Sequence, residues 1–174
     1  MELDRFIRSI PDYPIEGIVF KDITTLLKQP EAFKSALDDL YKLAEGKGIN
    51  KVIGIESRGF IFGGALADRL GAGFVPIRKP GKLPYEKFKE EYVLEYGTDS
   101  IEIHSDAINP GDKVLLHDDL LATGGTMDAA AKLMKKFKAE VVQISFLIEL
   151  TFLKGREKLK EFEVESLIQY EKEN

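Results

Sequence analysis

The sequence predicts an α/β domain: a central, mostly parallel sheet with helices on its faces. Three observations carry this. Short, nearly continuous apolar runs recur at 52–55, 114–116 and 141–148, the pattern of strands covered on both faces. Segments whose apolar residues repeat at helical spacing lie among them. The chain has 174 residues, 44% of them hydrophobic, enough to build one core of this kind. Strands alternating with helices imply a parallel sheet.

In chain order, Pro30 marks the first helix, with Phe33, Ala36, Leu37, Leu40 and Ala44 on one face and Gly46 after its end. Val52-Ile53-Gly54-Ile55 is the first core strand. A second helix spans 59–70, with Ile61, Phe62, Ala65 and Leu66 apolar and Gly71 as its stop. Residues 92–104 alternate around Gly97-Thr98-Asp99 and read as a hairpin. Val114-Leu115-Leu116 is the next core strand. A third helix opens at Gly125, with Met127, Ala130, Ala131, Met134 and Phe137 on one face and Lys132, Lys135 and Lys136 on the other. Residues 141–148 form a longer strand and 152–160 a short helix. Phe162, Val164 and Ile168 recur at even spacings, as in a half-exposed last strand. The Pro- and Gly-containing stretches at 11–17 and 80–84 are too short for linkers, so 1–174 reads as a single domain. Ligands of such sheets bind at the carboxyl ends of the strands. The loops after Ile55, Ile77, Leu116 and Ile148 are where chemistry is expected.

Composition removes several classes. A formal net charge of −5 and a pI near 5.2 argue against a dedicated nucleic-acid binder. With no cysteine there is no disulfide scaffold, thiolate zinc site or cysteine nucleophile. Two histidines, His104 and His117, cannot build a multi-histidine metal site. No apolar run approaches the ~20 residues of a membrane span, and Met1-Glu2-Leu3-Asp4-Arg5 has no signal-peptide character. A soluble cytoplasmic protein is expected, with neither a membrane nor a nucleic acid as partner.

Residues 114–126 carry the chemistry: a buried strand runs into Asp118-Asp119, then into Ala122-Thr123-Gly124-Gly125-Thr126, which opens a helix. Gly124 and Gly125 let a backbone approach an anion closely. The free amides and dipole of the helix start favour negative charge there, and Thr123 and Thr126 add hydroxyl donors. No Gly-Lys-Ser/Thr follows, so this is not the nucleoside-triphosphate loop. A carboxylate pair beside a phosphate cradle suits a ligand that presents neutral hydroxyls at that point. The vicinal hydroxyls of a ribose 5-phosphate meet that demand, and the carboxylates would also favour positive charge developing on the sugar.

This loop resembles the phosphoribosyl-pyrophosphate motif of the type I phosphoribosyltransferases. Other segments are similar to those of the adenine phosphoribosyltransferases: Pro11-Asp12-Tyr13-Pro14, Gly17-Ile18-Val19-Phe20-Lys21-Asp22-Ile23-Thr24, Glu56-Ser57-Arg58-Gly59-Phe60, Arg78-Lys79-Pro80-Gly81-Lys82-Leu83-Pro84, Leu94-Glu95-Tyr96-Gly97, Glu149-Leu150-Thr151 and Leu153-Lys154-Gly155-Arg156. The resemblance covers essentially the whole chain. It implies the type I fold with a small N-terminal hood (about 1–30) and a mobile lid loop (about 82–95). It also implies transfer of phosphoribose from phosphoribosyl pyrophosphate to N9 of adenine, giving AMP and pyrophosphate in purine salvage.

By the same resemblance, Ala122 to Thr126 hold the 5-phosphate, and Asp118 and Asp119 hold the ribose hydroxyls. Ser57, Arg58, Lys79 and Lys82 receive pyrophosphate. Phe20 and Leu150 sandwich the adenine ring, with the backbone around Val19 and Lys21 reading its edge. Glu95 faces the purine N7 and assists proton movement. Magnesium is implied as cofactor, carried by the substrate and water, so no protein metal ligand is assigned. A homodimer is implied, with Ser57-Arg58 near its interface. His117 is read as a packed histidine in preference to a proton relay, and His104 as a surface residue. Two other readings are a phosphoribosyltransferase for another base and a non-catalytic sensor of phosphoribosyl pyrophosphate.

Overall fold

A computed structural model describes residues 1–94 and 96–173. A short antiparallel pair comes first, β1 (Arg8–Ile10) and β2 (Phe20–Asp22), followed by α1 (Thr24–Leu27) and α2 (Pro30–Ala44). The core then alternates: β3 (Lys51–Ile55), α3 (Gly59–Leu70), β4 (Gly73–Ile77). A hairpin of β5 (Lys87–Val93) and β6 (Thr98–His104) interrupts the alternation. It resumes with β7 (Lys113–Leu121), α4 (Gly125–Lys136), β8 (Glu140–Leu150) and, after two short 3₁₀ turns, β9 (Val164–Tyr170). Among the described residues no helix is long and apolar enough to cross a membrane.

The predicted parallel sheet is present, in the order β4-β3-β7-β8-β9. The chain leaves β3 in one direction to build β4, then returns to the other side of β3 to build β7. The crevice between the carboxyl ends of β3 and β7 is therefore the switch point at which such sheets bind ligands. The strands read as continuous apolar runs because both faces are covered. On one face Val52, Leu115 and Ile168 meet α2 and α3 through Ala36, Leu40, Phe62 and Leu66. On the other, Ile53, Leu116, Ile144 and Phe146 meet α4 through Met127, Ala130 and Met134, and meet the hairpin through Ile101 and Ile103. Each fully buried Leu, Ile or Phe contributes about 1.5–3 kcal/mol relative to exposure.

Four expectations need correction. The hairpin begins earlier than predicted, because β5 reaches back to Lys87 and ends at Val93, with β6 starting at Thr98. Exposed charges such as Lys87, Lys89 and Glu91 hide the strand periodicity there. Half of the segment read as a loop over 82–95, Lys87–Val93, is thus strand. The acid pair lies inside β7, not beyond it, since β8 continues the ladder as far as Leu121. Residues 152–160 form 3₁₀ turns, Thr151–Leu153 and Gly155–Leu159, with Lys154 left-handed between them. His104 is half-buried, its ring edge-on to Tyr85.

Candidate functional site

The site forms where two neighbouring strands end unequally. The pairing of β3 with β7 ends at Gly54 opposite His117, whereas β7 stays paired to β8 through Asp118 and Leu121. From Asp118 onward one edge of β7 has left its β3 partner, and the turn after β3 fills the space beside it. That turn packs closely: a Cβ on Gly59 would stand 3.0 Å from Asp118 Oδ1 and 3.2 Å from Asp118 Cα. Glu56, Ser57 and Arg58 are thereby brought to the acid pair. The Glu56–Ser57 peptide is cis.

The acid pair is not two equivalent carboxylates. Asp118 Oδ1 accepts the Asp119 amide at 2.8 Å. Burial, and then the neighbouring Asp119 charge, push the Asp118 carboxyl well above the usual carboxylate range. Asp119 is buried and ion-paired, its Oδ2 accepting from Arg58 Nε at 2.6 Å. The same guanidinium lies 5.1 Å from the centre of the Phe20 ring. Arg58 therefore joins three predicted site elements: the pyrophosphate turn, the acid pair and the base-stacking aromatic.

The cradle follows β7. Gly124, at φ +86, turns the chain into α4, which starts at Gly125. The first amides of a helix have no partner within it, and here the residues that carry them help line a cavity of about 90 Å³, with Asp118, Ala122, Thr123, Gly125 and Thr126 on its wall. The predicted cradle and Asp118, the first residue of the acid pair, thus line one cavity. Leu150 ends β8, one strand over, at the same edge of the sheet.

The predicted cations are all held by carboxylates. Lys82 Nζ donates to Glu56 Oε2 at 2.5 Å, and the Lys79 amide donates to Glu56 Oε1 at 2.5 Å. Burial would raise the Glu56 carboxyl, but these hydrogen bonds from Lys82 and Lys79 outweigh it and hold it below its ordinary value. Lys79 Nζ bonds Asp99 Oδ2 and, at 2.9 Å, the Tyr92 hydroxyl. Gly81 N donates to Glu102 Oε1 at 2.8 Å, which ties the 78–82 loop to β6.

In the hood, Val19 and Phe20 are partly buried and Lys21 is buried. Lys21 Nζ donates to Ser9 Oγ at 2.9 Å and lies 4.2 Å from the Tyr170 ring centre. Its side chain points away from Phe20, as strand alternation requires. His117 is fully buried, with Nδ1 2.9 Å from Ser145 Oγ and Phe62 edge-on to its ring. Burial lowers its pKa to about 4 against the opposing pull of Asp119. Glu95 lies outside the described residues.

Sequence reasoning did not single out Glu56, Tyr92, Asp99 or the Glu149–Arg156 pair. Arg156 donates Nε and Nη2 to the two oxygens of buried Glu149 at 2.8 Å each, and Nη1 to the Val164 carbonyl at 2.6 Å. Glu56, Glu149 and Arg156 stand in the motif segments quoted above, so their place in those segments is the one signal that could have marked them.

Comparison with known proteins agrees with this geometry. The phosphoribosyl transferase domain family matches residues 22–170. An adenine phosphoribosyltransferase of Halothermothrix orenii is 57% identical over 169 residues, covering 97% of this chain and 99% of that protein. The crystal structure of adenine phosphoribosyltransferase from Thermoanaerobacter pseudethanolicus superposes with a TM-score of 0.94 at 53% identity, covering 97% of this chain and 98% of the other. The Saccharomyces cerevisiae enzyme, complexed with an imino-altritol bisphosphate and adenine, superposes with a TM-score of 0.89 at 42% identity, covering 95% and 96%. With a switch-point crevice that joins an acid pair to a glycine cradle, and with relatives this similar along nearly its whole length, the chain belongs to the adenine phosphoribosyltransferases, within the phosphoribosyl transferase family.

Proposed function

We propose that the protein transfers 5-phosphoribose from phosphoribosyl pyrophosphate to N9 of adenine, giving AMP and pyrophosphate in purine salvage. The observation that carries the reading is Asp118 and the Ala122–Thr126 cradle lining one cavity, with Arg58 bound to the adjacent Asp119. In the reaction N9 attacks C1 of the ribose, the bond to pyrophosphate breaks, and the sugar ring gains positive charge.

Each group then has a task. The cradle amides and the hydroxyls of Thr123 and Thr126 receive the 5-phosphate. Asp118 and Asp119 accept from the ribose hydroxyls and oppose the developing ring charge. Ser57, Arg58, Lys79 and Lys82 receive the leaving pyrophosphate. Phe20 and Leu150 cover the faces of the base, and the Val19 to Lys21 backbone reads its edge. Glu95 remains assigned to the purine N7 by resemblance alone.

Magnesium fits these residues as a companion of the substrate. Asp119 already holds a cationic group, the Arg58 guanidinium. Among the described residues no set of three or more His, Asp or Glu side chains converges as a metal cage. Asp118 and Asp119 would hold the ion through ribose hydroxyls or water, and it would neutralise pyrophosphate charge.

A cytoplasmic homodimer belongs to the same proposal. β4 is an edge strand of the sheet. Phe74 upon it, with Phe60 against its ring and Ile61 exposed nearby, forms an apolar patch continuous with the Ser57-Arg58 turn. Two-fold pairing of that patch would cover it.

The test is conversion of labelled adenine, guanine and hypoxanthine, each with phosphoribosyl pyrophosphate and magnesium. Conversion of adenine to AMP is expected. If no base reacts while the sugar substrate still binds, the sensor reading replaces this one.

A further inference from the structure

Tyr92 and Asp99 are cross-strand partners in the hairpin. Both hold Lys79. Its Nζ donates to the Tyr92 hydroxyl at 2.9 Å and to Asp99 Oδ2, and the Tyr92 hydroxyl itself donates to Asp99 Oδ2 at 3.1 Å. The ring of Tyr92 also reaches the cradle, since a Cβ on Gly125 would stand 3.5 Å from its Cδ2. One tyrosine therefore touches the hairpin, the lysine assigned to pyrophosphate and the loop assigned to the 5-phosphate. The side chains of Lys79 and Asp99 are 39% and 35% exposed, so an anion from solvent can reach the pair.

Lys79 has a charged partner before any substrate arrives. Arg58 and Lys82 do too, but their carboxylates, Asp119 and Glu56, lie within the acid pair and the pyrophosphate turn. Asp99 lies on the hairpin, and the reaction as derived gives it no task. A carboxylate on a phosphate-binding lysine competes with pyrophosphate for the same ammonium. Whatever that contact contributes is subtracted from the hold on the incoming substrate and on the departing product alike.

We propose that Asp99 is a positioning residue whose carboxylate stands in for pyrophosphate on Lys79, so that pyrophosphate binds by exchanging Lys79 away from the Tyr92–Asp99 pair. The inference rests on the reading of Lys79 as a pyrophosphate partner. It makes the hairpin responsive to occupancy, because Asp99 loses its cation when pyrophosphate binds. It also limits product retention. The titration behaviour of the pair is consistent with mutual stabilisation: Lys79 holds the Asp99 carboxyl below its ordinary value, and on Lys79 the Asp99 and Tyr92 hydrogen bonds outweigh the effect of burial.

The experiment is calorimetric titration of magnesium pyrophosphate, and separately of AMP, into the wild-type protein and the variants D99N, D99E, Y92F and K79A. D99N is expected to bind pyrophosphate about threefold tighter or more, the scale of a partly exposed ion pair, with AMP affinity unchanged. D99E should return to the wild-type value. Y92F should tighten pyrophosphate in the same direction but less, which keeps a test available if D99N does not fold. A merely structural Asp99 would weaken both ligands or neither. Unchanged or weaker pyrophosphate binding in D99N and Y92F, with K79A impaired, overturns the inference and leaves Lys79 in its role. Unchanged binding in K79A overturns the assignment of Lys79, and the inference with it.

Discussion

Gly124 and Gly155 meet backbone to backbone beneath the cradle: a Cβ added to Gly124 would stand 2.6 Å from the Gly155 carbonyl oxygen, and one added to Gly155 would stand 2.5 Å from the Ala122 carbonyl oxygen. The cradle loop is thus shaped by a segment some thirty residues downstream, and Arg156 pins that segment to Glu149 and the Val164 carbonyl. Gly125 differs, because its Cβ would meet only the Tyr92 ring at an ordinary 3.5 Å. Gly155→Ala is therefore expected to destabilise the fold by about 1–3 kcal/mol, as overpacking does, and to weaken AMP binding. Gly125→Ala should leave the melting temperature near wild type and weaken AMP alone. Thermal unfolding and AMP titration of the two variants check this. If Gly125→Ala binds AMP normally, the cradle amides are not the phosphate site.

The role proposed for Arg58 is to receive pyrophosphate, which phosphoribosyl pyrophosphate carries and AMP lacks. Arg58→Gln removes the cation but keeps a polar side chain of similar reach. Losing a charge-assisted hydrogen bond costs about 1.5–3 kcal/mol, roughly ten- to a hundredfold in affinity. The loss should fall on phosphoribosyl pyrophosphate and spare AMP. Equal weakening of both ligands would instead assign Arg58 to holding Asp119 in place.

Asp118 is kept where a carboxylate is poorly solvated. Its folded-state pKa is raised above the ordinary 3.8. The stability tied to this group is therefore full below the ordinary value and lost as pH rises through the folded value. Asp118→Asn removes that loss. Its melting temperature should exceed wild type at neutral pH by roughly 2–4 °C, the scale of about 1 kcal/mol in a domain of this size, and the advantage should fade toward pH 4. Turnover should fall about tenfold or more, equivalent to ~1.4 kcal/mol of transition-state stabilisation. A variant that loses stability and keeps activity would remove Asp118 from the reaction.

The helices and core strands were legible because their signals are local: an apolar face at helical spacing in α2 and α4, and unbroken apolar runs in β3, β7 and β8. The placement of Asp118-Asp119 and of the Ala122–Thr126 turn at the end of a core strand was legible for the same reason, as contiguous residues. What stayed hidden depends on distance. Asp119 gains its partner from Arg58 and Lys79 its partner from Asp99, and no periodicity joins such positions. The hairpin was read too short because β5 carries exposed charges on one side, Lys87, Lys89 and Glu91, and a half-buried Glu90 among the residues of the other. Only the fold shows that the Gly-containing turn at 154–155 backs the Ala122–Thr126 loop.

His117 immediately precedes the acid pair yet faces the apolar layer under α3, where Phe62 and Ser145 contact it. Its folded pKa of about 4 lies below the unfolded 6.5. The stability from keeping it neutral is complete above 6.5 and is lost as pH falls toward 4, at no more than about 1.4 kcal/mol per pH unit for one proton. Denaturant titrations across that window should show the slope, and His117→Val should flatten it while leaving turnover largely intact. A large loss of turnover with an unchanged slope would make the histidine a proton relay.

Base choice gives the sharpest test of the hood. Adenine offers a donor at its 6-amino group and an acceptor at N1, whereas hypoxanthine reverses both. The Lys21 side chain is committed to Ser9 and Tyr170, and the proposed reading gives that edge to the backbone around Val19 and Lys21. Presenting a 6-oxo base to a backbone carbonyl and amide set for adenine leaves two buried mismatches, each costing about 1–3 kcal/mol. Discrimination of roughly 10²- to 10⁴-fold follows without any editing step. Lys21→Met keeps most of the buried volume and removes the charge. It should lower stability through the lost contacts with Ser9 and Tyr170 but preserve the ratio of AMP to IMP formed from equal adenine and hypoxanthine. Phe20→Ala removes the stacking face and the ring that Arg58 covers. It should reduce turnover of adenine without admitting hypoxanthine. If the ratio falls toward one in Lys21→Met, the side chain reads the base and the backbone assignment is wrong. If it is near one in the wild-type protein, adenine selectivity does not reside in this hood at all.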